Sequence, residues 1–297
     1  MYHQLIYYST PITEVRSDFI NKSRVRLLVK REDLNHPFVS GNKWWKLKYN
    51  LEEALRQGHN TLLTFGGAYS NHLYATAVAA NEFGLKSIGI IRGEEVLPLN
   101  HTLAFAESSG MKLHYVSREA YRNKTEKTFV QKLHDQFGDF YLIPEGGTNE
   151  LAVRGVAEFA ATLINEVEFD YLCLPIGTGG TMAGFVRSFA GRKNILGFSV
   201  LKGRGFLNEE VKRWVGESCN NWSILEDYHF GGYAKVTAEL IKFMDEIEKQ
   251  HQLPLDQVYT SKMMFGILDL IKKDFFKKGS AILMLHTGGL QGNRIIA

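Results

Sequence analysis

Cysteine and proline are scarce in this sequence, and long apolar runs are missing. It holds 2 cysteines, Cys173 and Cys219, and 6 prolines. Two cysteines so far apart argue against a disulfide framework and indicate a reducing compartment. No apolar run reaches the ~18 residues of a membrane-spanning helix, and the first residues lack the charged-then-apolar layout of a signal peptide. We therefore predict a soluble, cytoplasmic protein with no membrane partner.

Neither sign of charge is in excess, which argues against a further class of protein. The sequence has 35 lysine and arginine residues against 32 aspartate and glutamate residues, a net charge of +3, and it has no basic run. A nucleic-acid-binding patch is therefore not indicated, and we predict no metal site. With 297 residues the chain is long for one compact domain and short for three, so we expect two lobes.

Short apolar runs alternate along the chain with stretches of helical period. Such alternation predicts βαβ units, and apolar runs without interspersed polar residues indicate parallel strands covered on both faces. We therefore predict an α/β fold. The helical stretches include 71–84, 151–167 and 236–250. The strand candidates are RLLVKRED, NTLLTFGG, KSIGIIRG, KLHYVS, FYLIPEGG, DYLCLPIGTGG, NILGFSVLKG and AILMLHTGG.

Four of the strand candidates end in glycine-rich turns, each beside a threonine, serine or asparagine. Any one of these turns alone would be only a connection between a strand and a helix. Ligands of open α/β sheets bind outside the carboxyl ends of the strands, where glycine lets the backbone approach them closely. We therefore expect one shared site. The turns are Gly66-Gly67, Gly146-Gly147, residues 177–180 and Gly288-Gly289.

The turn PIGTGGTMAGF, residues 175–185, has the composition of a phosphate site at the start of a helix. It is not a Walker loop, because no Gly-Lys-Ser/Thr follows, and Met182 replaces the third glycine of the dinucleotide fingerprint. A nucleotide-dependent oxidoreductase is the disfavoured alternative, and a small phosphorylated cofactor is preferred. The predicted phosphate-binding residues are Gly177, Thr178, Gly179, Gly180 and Thr181.

The turn GGAYSNH, residues 66–72, leads into a second helix. In the structural interpretation Ser70 or Asn71 is only the N-cap of that helix. In the functional interpretation Ser70, Asn71 and the first free N–H groups bind a substrate carboxylate at the positive helix end. His72 lies in the first turn, where a histidine is more often packed than catalytic.

Lys43 follows a Gly-Asn turn, and together with the two turns above it is a candidate Schiff-base lysine. The combination resembles the pyridoxal-phosphate enzymes of the tryptophan-synthase-β fold type. The nearer match is the family of 1-aminocyclopropane-1-carboxylate deaminases and D-cysteine desulfhydrases. The matching motifs occur in family order over most of the chain: KREDLNHPFVSGNKWWKL, GGAYSNH, PEGGTN, GTGGTMAG, VYTSK and LHTGG.

The resemblance implies a fold, a cofactor and roles for residues. The fold is two domains with open, twisted parallel sheets and an active site in the cleft between them. Residues 1–48 and 159–297 form the larger, pyridoxal-phosphate-binding domain, and residues 49–158 form the smaller one. Lys43 carries pyridoxal 5'-phosphate, and residues 178–181 hold its phosphate. Ser70, Asn71 and His72 face a small amino-acid substrate, and the protein is expected to be a homodimer.

Two tyrosines are assigned by the resemblance alone, because by sequence both are ordinary core or interface aromatics. Tyr259 in VYTSK matches the tyrosine that stacks on the cofactor ring, and Tyr233 in GGYAKV falls where a second active-site tyrosine is expected. Segment 202–232 lacks the family's pattern and is expected to help shape the substrate pocket, and Trp44-Trp45 also depart from that pattern. Lys46 and Lys48 are expected to be solvated helix lysines.

Three positions place the sequence on the D-cysteine desulfhydrase side of the resemblance: His72, Thr260 and Thr287. The deaminases are expected to have Gln, Glu and Leu there. Thr287 would offer the cofactor's pyridine nitrogen a neutral hydroxyl, whereas a carboxylate would favour a protonated ring and a stronger electron sink. Elimination of sulfide needs less carbanion stabilisation than the opening of a cyclopropane, so the neutral partner suits elimination.

We therefore predict a pyridoxal-phosphate-dependent lyase that converts D-cysteine to pyruvate, sulfide and ammonia by α,β-elimination. Lys43 would remove the α-proton, and Ser70 would assist proton transfer. The alternatives with the same cofactor are an aminocyclopropane deaminase and a dehydratase or racemase of serine-like amino acids. A cofactor-binding protein without turnover is a further alternative.

Overall fold

The computed structural model describes residues 5–203, 205–216 and 219–293. Within these residues no helix is long and apolar enough to cross a membrane. The strands are β1 (Ile12–Val15), β2 (Arg26–Lys30), β3 (Thr61–Gly66), β4 (Lys86–Arg92), β5 (Met111–Val116), β6 (Tyr141–Ile143), β7 (Tyr171–Ile176), β8 (Asn194–Ser199), β9 (Trp222–Leu225) and β10 (Ala281–Leu285).

The helices lie mostly between consecutive strands, as the alternating pattern predicts. They are α1 (Asp18–Lys22), α2 (Asn42–Arg56), α3 (Asn71–Glu82), α4 (His101–Ser108), α5 (Arg118–Arg122), α6 (Lys127–Phe137), α7 (Glu150–Glu166), α8 (Gly180–Phe189), α9 (Phe206–Val215), α10 (Ala238–His251) and α11 (Thr260–Lys272).

The strands form two sheets, and the predicted α/β class with parallel sheets is confirmed. One sheet has the strand order β1-β2-β10-β7-β8-β9, in which only the β1–β2 pair is antiparallel. The other has the order β5-β4-β3-β6 and is parallel throughout. The eight strand candidates correspond to β2–β8 and β10. The sequence analysis missed β1 and β9, which are four-residue edge strands with mostly half-buried residues.

Helices α2, α7 and α8 join the two sheets through a common apolar core. This core includes Leu62 of β3 and Leu174 of β7. The ring of Trp45 in α2 stacks on Phe159 in α7, with 4.8 Å between centroids, and its indole N–H donates to Glu32 Oε2 at 2.7 Å. The predicted domain boundaries, at residues 48 and 158, fall inside α2 and α7, and that division of the chain stays a prediction.

Candidate active site

A cavity of about 280 Å³ lies at the carboxyl ends of strands from both sheets. Turns that follow β3, β7 and β10 line it, which is where open α/β sheets bind ligands. All but one of the sequence-predicted site residues line the cavity: Lys43, Ser70, Asn71, His72, Gly177, Thr178, Gly179, Thr181, Tyr233, Tyr259 and Thr287. The exception is Gly180, which is buried behind it. A Cβ atom on Gly180 would lie 2.7 Å from Thr148 Cγ2.

The position of Lys43 is set by the glycine two residues before it. Gly41 has a φ of +67°, and a Cβ there would lie 1.9 Å from the carbonyl oxygen of Thr287, so only glycine fits. The Asn35 side chain accepts from the Gly41 N–H at 2.8 Å and donates to its carbonyl at 3.0 Å. The start of α2 is therefore held at the cavity. Burial lowers the pKa of Lys43 to about 8, so its nucleophilic neutral amine is accessible near neutral pH.

Lys46 is not the solvated lysine that the sequence analysis expected. Its side chain is 2% exposed, and its ammonium donates to the Gly146 carbonyl at 2.9 Å and to Thr148 Oγ1 at 3.0 Å. Burial and the neighbouring Lys43 lower its pKa well below the ordinary value. The expectation was wrong because residues three apart on a helix share a face, and this face of α2 lines the cavity.

Lys48 is also not fully solvated, although it lies outside the cavity. Its side chain is 22% exposed and pairs with Glu158, with 2.7 Å between Nζ and Oε1. Its ammonium lies 5.0 Å from the ring centroid of Tyr49. Lys48 is therefore a partly covered surface lysine, and it is a better control than Lys46 for experiments on Lys43.

The N-terminus of α8 offers several groups to an anion. Gly179 begins the helix in the left-handed conformation, with no side-chain cap. The hydroxyl groups of Thr178 and Thr148 are 2.7 Å apart, which links Thr178 to Lys46 through Thr148. Asn42 Nδ2 donates to Thr181 Oγ1 at 2.8 Å. Backbone N–H groups, hydroxyls and a buried ammonium together make a site for a phosphate.

The N-terminus of α3 is organised differently. Ser70 Oγ accepts from the Leu73 N–H at 3.3 Å, so Ser70 is the N-cap of this helix. Asn71 Oδ1 accepts from Gln291 Nε2 at 3.2 Å, which connects the turn to the segment after β10. Both side chains still line the cavity, so the structural and the functional interpretations of this turn are compatible.

His72 is a neutral histidine with a determined tautomer. Thr64 donates its hydroxyl to the Ile143 carbonyl at 2.8 Å, so Thr64 Oγ1 accepts from the His72 Nε2–H at 2.9 Å. Burial, Lys43 and Lys46 lower the pKa of His72 well below its ordinary value. Its Nδ1 is buried and has no hydrogen-bond partner among the described residues.

Tyr233 and Tyr259 are brought together, as the resemblance implies. Their ring centroids are 6.1 Å apart with planes at 71°, and a Cβ on Gly177 would lie 3.4 Å from the Tyr259 ring. Burial raises the pKa of both hydroxyls, and the neighbouring Tyr233 raises that of Tyr259 further. Both tyrosines therefore keep their protons at neutral pH.

The two threonines that replace expected deaminase residues are placed differently. Thr260 is fully buried, and its hydroxyl both donates to Asp256 Oδ1 and accepts from the Asp256 N–H, each at 2.8 Å. Thr287 lines the cavity. Thr287 is therefore the available candidate for the hydroxyl partner of a cofactor ring.

The sequence analysis wrongly expected segment 202–232 to help shape the substrate pocket, and it missed several residues that line the cavity. No described residue of segment 202–232 lines the cavity, although its neighbours Leu201 and Tyr233 do. Helix α9 instead packs behind Gly179, where a Cβ would lie 3.2 Å from Val211. Two signals in the sequence could have identified some of the missed residues. Lys46 is three residues from Lys43 on the same helix, and Arg92 and Glu145 lie at the ends of strand candidates. The missed lining residues include Asn42, Lys46, Arg92, Glu145 and Gln291.

Comparisons with known proteins show the family and the fold of this chain. The model of the family described as "Pyridoxal-phosphate dependent enzyme" matches residues 4–288. A "Putative 1-aminocyclopropane-1-carboxylate deaminase" of Pyrococcus abyssi is 31% identical over 304 residues, which cover 97% of this chain and 91% of the relative. The solved structure of an ACC deaminase homologue matches with a TM-score of 0.83 at 26% identity, covering 97% of this chain and 92% of that chain.

A plant relative carries both activities in its name. The "Bifunctional D-cysteine desulfhydrase/1-aminocyclopropane-1-carboxylate deaminase, mitochondrial" of Arabidopsis thaliana is 30% identical over 291 residues, which cover 90% of this chain and 73% of the relative. Shared family residues and a shared fold together identify the chain. It belongs to the pyridoxal-phosphate dependent enzymes, among relatives named 1-aminocyclopropane-1-carboxylate deaminase and D-cysteine desulfhydrase, and its cofactor is pyridoxal phosphate.

Proposed function

We propose that the enzyme catalyses α,β-elimination from a small amino acid, with D-cysteine as the first candidate. The products would be pyruvate, sulfide and ammonia. The observation that carries the proposal is the cavity in which the half-buried Lys43 lies with two helix N-termini and with the neutral hydroxyl of Thr287. A neutral ring partner suits elimination of a good leaving group better than the opening of a cyclopropane.

The residues present fit pyridoxal phosphate. Lys46 is a buried lysine with no carboxylate partner among the described residues, and such a group calls for an anion. Lys46 and the hydroxyls of Thr178 and Thr181 at the α8 terminus would hold the phosphate, and Lys43 would hold the cofactor covalently. When bound, the cofactor accepts the electrons released as the α-proton of the substrate leaves.

The remaining residues have roles on the substrate. Ser70, Asn71 and the free N–H groups of α3 would bind the α-carboxylate. The amine of Lys43, with a pKa of about 8, would take the α-proton. The hydroxyls of Tyr233 and Tyr259 are hydrogen-bonded to each other, with Tyr259 as the donor. The Tyr233 hydroxyl can therefore donate outward, and we assign it to the leaving sulfur. Because His72 is neutral, it adds no positive charge that would draw the substrate α-carboxylate away from the N-terminus of α3.

The test is the near-visible absorption of the purified protein, recorded before and after addition of D-cysteine, with sulfide and pyruvate assayed together. We expect a cofactor band that shifts on addition, with release of both products, and the same behaviour in a Lys48→Ala control. If the cofactor band is present but does not change on addition of D-cysteine, the cofactor assignment would stand and D-cysteine would be excluded as the substrate. No band after addition of pyridoxal phosphate would contradict the whole proposal.

The main alternative is 1-aminocyclopropane-1-carboxylate deamination, which the names of the relatives support equally. Release of 2-oxobutanoate from aminocyclopropane carboxylate would favour it over D-cysteine elimination. Serine dehydration and racemisation are separated from both by assaying pyruvate and the enantiomer composition with serine as substrate.

We also propose that the enzyme is a cytoplasmic homodimer. The scarcity of cysteine supports a reducing compartment, and the family resemblance supports the dimer. Light scattering of the cofactor-loaded protein should give twice the mass of the 33.7 kDa chain, and a mass equal to one chain would contradict the dimer.

A further inference from the structure

The cavity contains a cation to which the proposed function gives no role. Arg92 ends β4 and lines the cavity. Its guanidinium lies beside the turn after β3, since a Cβ on Gly67 would be 3.4 Å from Nη2. It also lies 5.8 Å from the ring centroid of Tyr121. Within residues 5–203, 205–216 and 219–293, no carboxylate forms an ion pair with Arg92.

The acidic residue of the cavity wall does not neutralise Arg92, because it already has other partners. Glu145 lines the cavity, and its carboxylate accepts from the Tyr121 hydroxyl at 2.8 Å and pairs with Lys124 Nζ at 3.2 Å. The negative charge of Glu145 is therefore balanced by Lys124. Arg92 remains as a positive group facing the cavity.

The two anions that the proposed function requires are already matched to other groups. The cofactor phosphate has Lys46 and the α8 terminus, and the substrate α-carboxylate has the α3 terminus. A guanidinium presents a planar set of donors suited to carboxylate, sulfate and phosphate groups.

We propose that Arg92 binds a second anionic group on the substrate, so that the enzyme also accepts amino acids with a negatively charged β-substituent. This inference rests on the proposed function, since it assigns the substrate class of the same site. D-cysteine lies outside this class, because its thiol is largely uncharged near pH 7, and it is therefore the comparison substrate. Members of the class carry a phosphate, sulfate or carboxylate on the group that leaves.

The reaction balances without any oxidant or reductant. With O-phosphoserine, the α-C–H bond breaks and its proton passes to Lys43. The Cβ–O bond then breaks, and its electron pair leaves on phosphate. One molecule of water replaces the nitrogen, so that one amino acid and one water give pyruvate, ammonia and inorganic phosphate.

The test compares O-phosphoserine and serine O-sulfate, each in both enantiomers, with D-cysteine on the cofactor-loaded enzyme. The variants are Arg92→Gln and Arg92→Lys. The matched control is Arg118→Gln, because Arg118 is exposed and close to Gly93 but does not line the cavity. Pyruvate is assayed for every substrate, and the cofactor band is recorded for every variant.

We expect the wild type to turn over at least one of the two anionic substrates. In Arg92→Gln its kcat/KM should fall by about tenfold or more beyond any fall for D-cysteine, as loss of a charged hydrogen bond predicts. Arg92→Lys should lie between Arg92→Gln and the wild type, and Arg118→Gln should match the wild type.

Three results would overturn the inference. An equal loss for all substrates would mean that Arg92 binds the α-carboxylate. Unchanged kinetics with every substrate in Arg92→Gln, or no turnover of either anionic substrate by an enzyme with a normal cofactor band, would mean that the second anion site does not exist. Absence of the band itself would instead contradict the proposed function, and the inference with it.

Discussion

Two helices point their N-termini into the same cavity, and they differ in what surrounds those ends. Both follow a glycine turn at the end of a parallel strand, α8 after β7 and α3 after β3. At α8 the first residues carry no side-chain cap, and the buried ammonium of Lys46 lies behind the turn. At α3 the Ser70 hydroxyl already caps the helix, and the cation beside the turn, Arg92, is exposed.

On the proposed function, the difference suits one backbone motif to two ligands. Every helix N-terminus attracts anions through its free N–H groups and its dipole. Lys46 would add a full charge beside a bound phosphate, which suits the doubly charged phosphate of a cofactor that stays bound. A capped end whose neighbouring cation is exposed rather than buried suits a singly charged carboxylate, which would bind and leave in each turnover. The following predictions test this division, beginning with the largest effect.

Gly41→Ala should disrupt the position of Lys43 relative to both helix ends. The new Cβ would lie 1.9 Å from the Thr287 carbonyl oxygen, so the backbone must move, at a cost on the order of 4 kcal/mol in unfolding free energy. Cofactor binding should be lost in the same variant. Calorimetry and cofactor absorbance measure the two effects.

Gly138→Ala is the control for this variant. Gly138 has nearly the same backbone conformation, φ +76° and ψ −146° against φ +67° and ψ −142° at Gly41, but a Cβ there would meet nothing within 4 Å. Only backbone strain remains, worth about 1 to 3 kcal/mol. Equal losses in the two variants would mean that conformational strain, rather than the contact with Thr287, explains the glycine at position 41.

Lys46→Met should change the site at the N-terminus of α8. It should not destabilise the apoenzyme, but it should weaken the binding of the cofactor. Removal of a buried, unpaired ammonium should leave the apoenzyme as stable as the wild type or more stable. The Kd for pyridoxal phosphate should rise by about 30-fold or more, because the phosphate loses a buried charged partner. Lys48→Met is the control, and unchanged cofactor affinity in Lys46→Met would contradict the assignment of Lys46 to the phosphate.

Ser70→Ala should act on the α3 end and leave the cofactor in place. The lost N-cap should cost about 1 kcal/mol of stability, and the KM for the amino acid should rise by about tenfold because its carboxylate loses a hydrogen bond. Thr237→Ala removes the N-cap of α10, where Thr237 accepts from the Leu240 N–H. It should cost similar stability without any change in KM. A raised cofactor Kd in Ser70→Ala would show that the two helix ends do not have separate ligands.

The pH dependence of cofactor uptake should report the burial of Lys43, and it is the smallest of these effects. Only the neutral amine attacks the cofactor aldehyde. With a pKa of about 8, the neutral fraction rises about fivefold between pH 7 and pH 8 and levels off above about pH 9. An ordinary lysine would instead gain about tenfold per unit up to pH 10. Stopped-flow absorbance of apoenzyme mixed with pyridoxal phosphate distinguishes the two curves.

The sequence predicted the parallel sheets well, because a strand covered on both faces must be apolar along its whole length. This requirement identifies β7, whose residues after Tyr171 are all buried. It does not apply to β1 and β9, which lie at the two edges of the larger sheet. Their residues are mostly half-buried, so no continuous apolar run marks them.

The site was predictable where glycine and hydroxyl residues share a turn, and not where a role depends on packing between distant segments. The turn at residues 177–181 carries its own signal. The partners of Lys46 are Gly146 and Thr148, about a hundred positions away, so its burial required the fold. Arg92 had no local motif, and its significance follows from the balance of charges around the cavity.

The most direct test of the central claim, that the cofactor of this enzyme is held by Lys43, is to reduce the loaded enzyme with borohydride and locate the label by peptide mass spectrometry. The structure predicts a single label on Lys43, with none on Lys46 or Lys48. It also predicts that Lys43→Ala shows no label, while Lys48→Ala is labelled as the wild type is. A label on Lys46, or one that persists in Lys43→Ala, would contradict the assignment of the cavity's chemistry to Lys43.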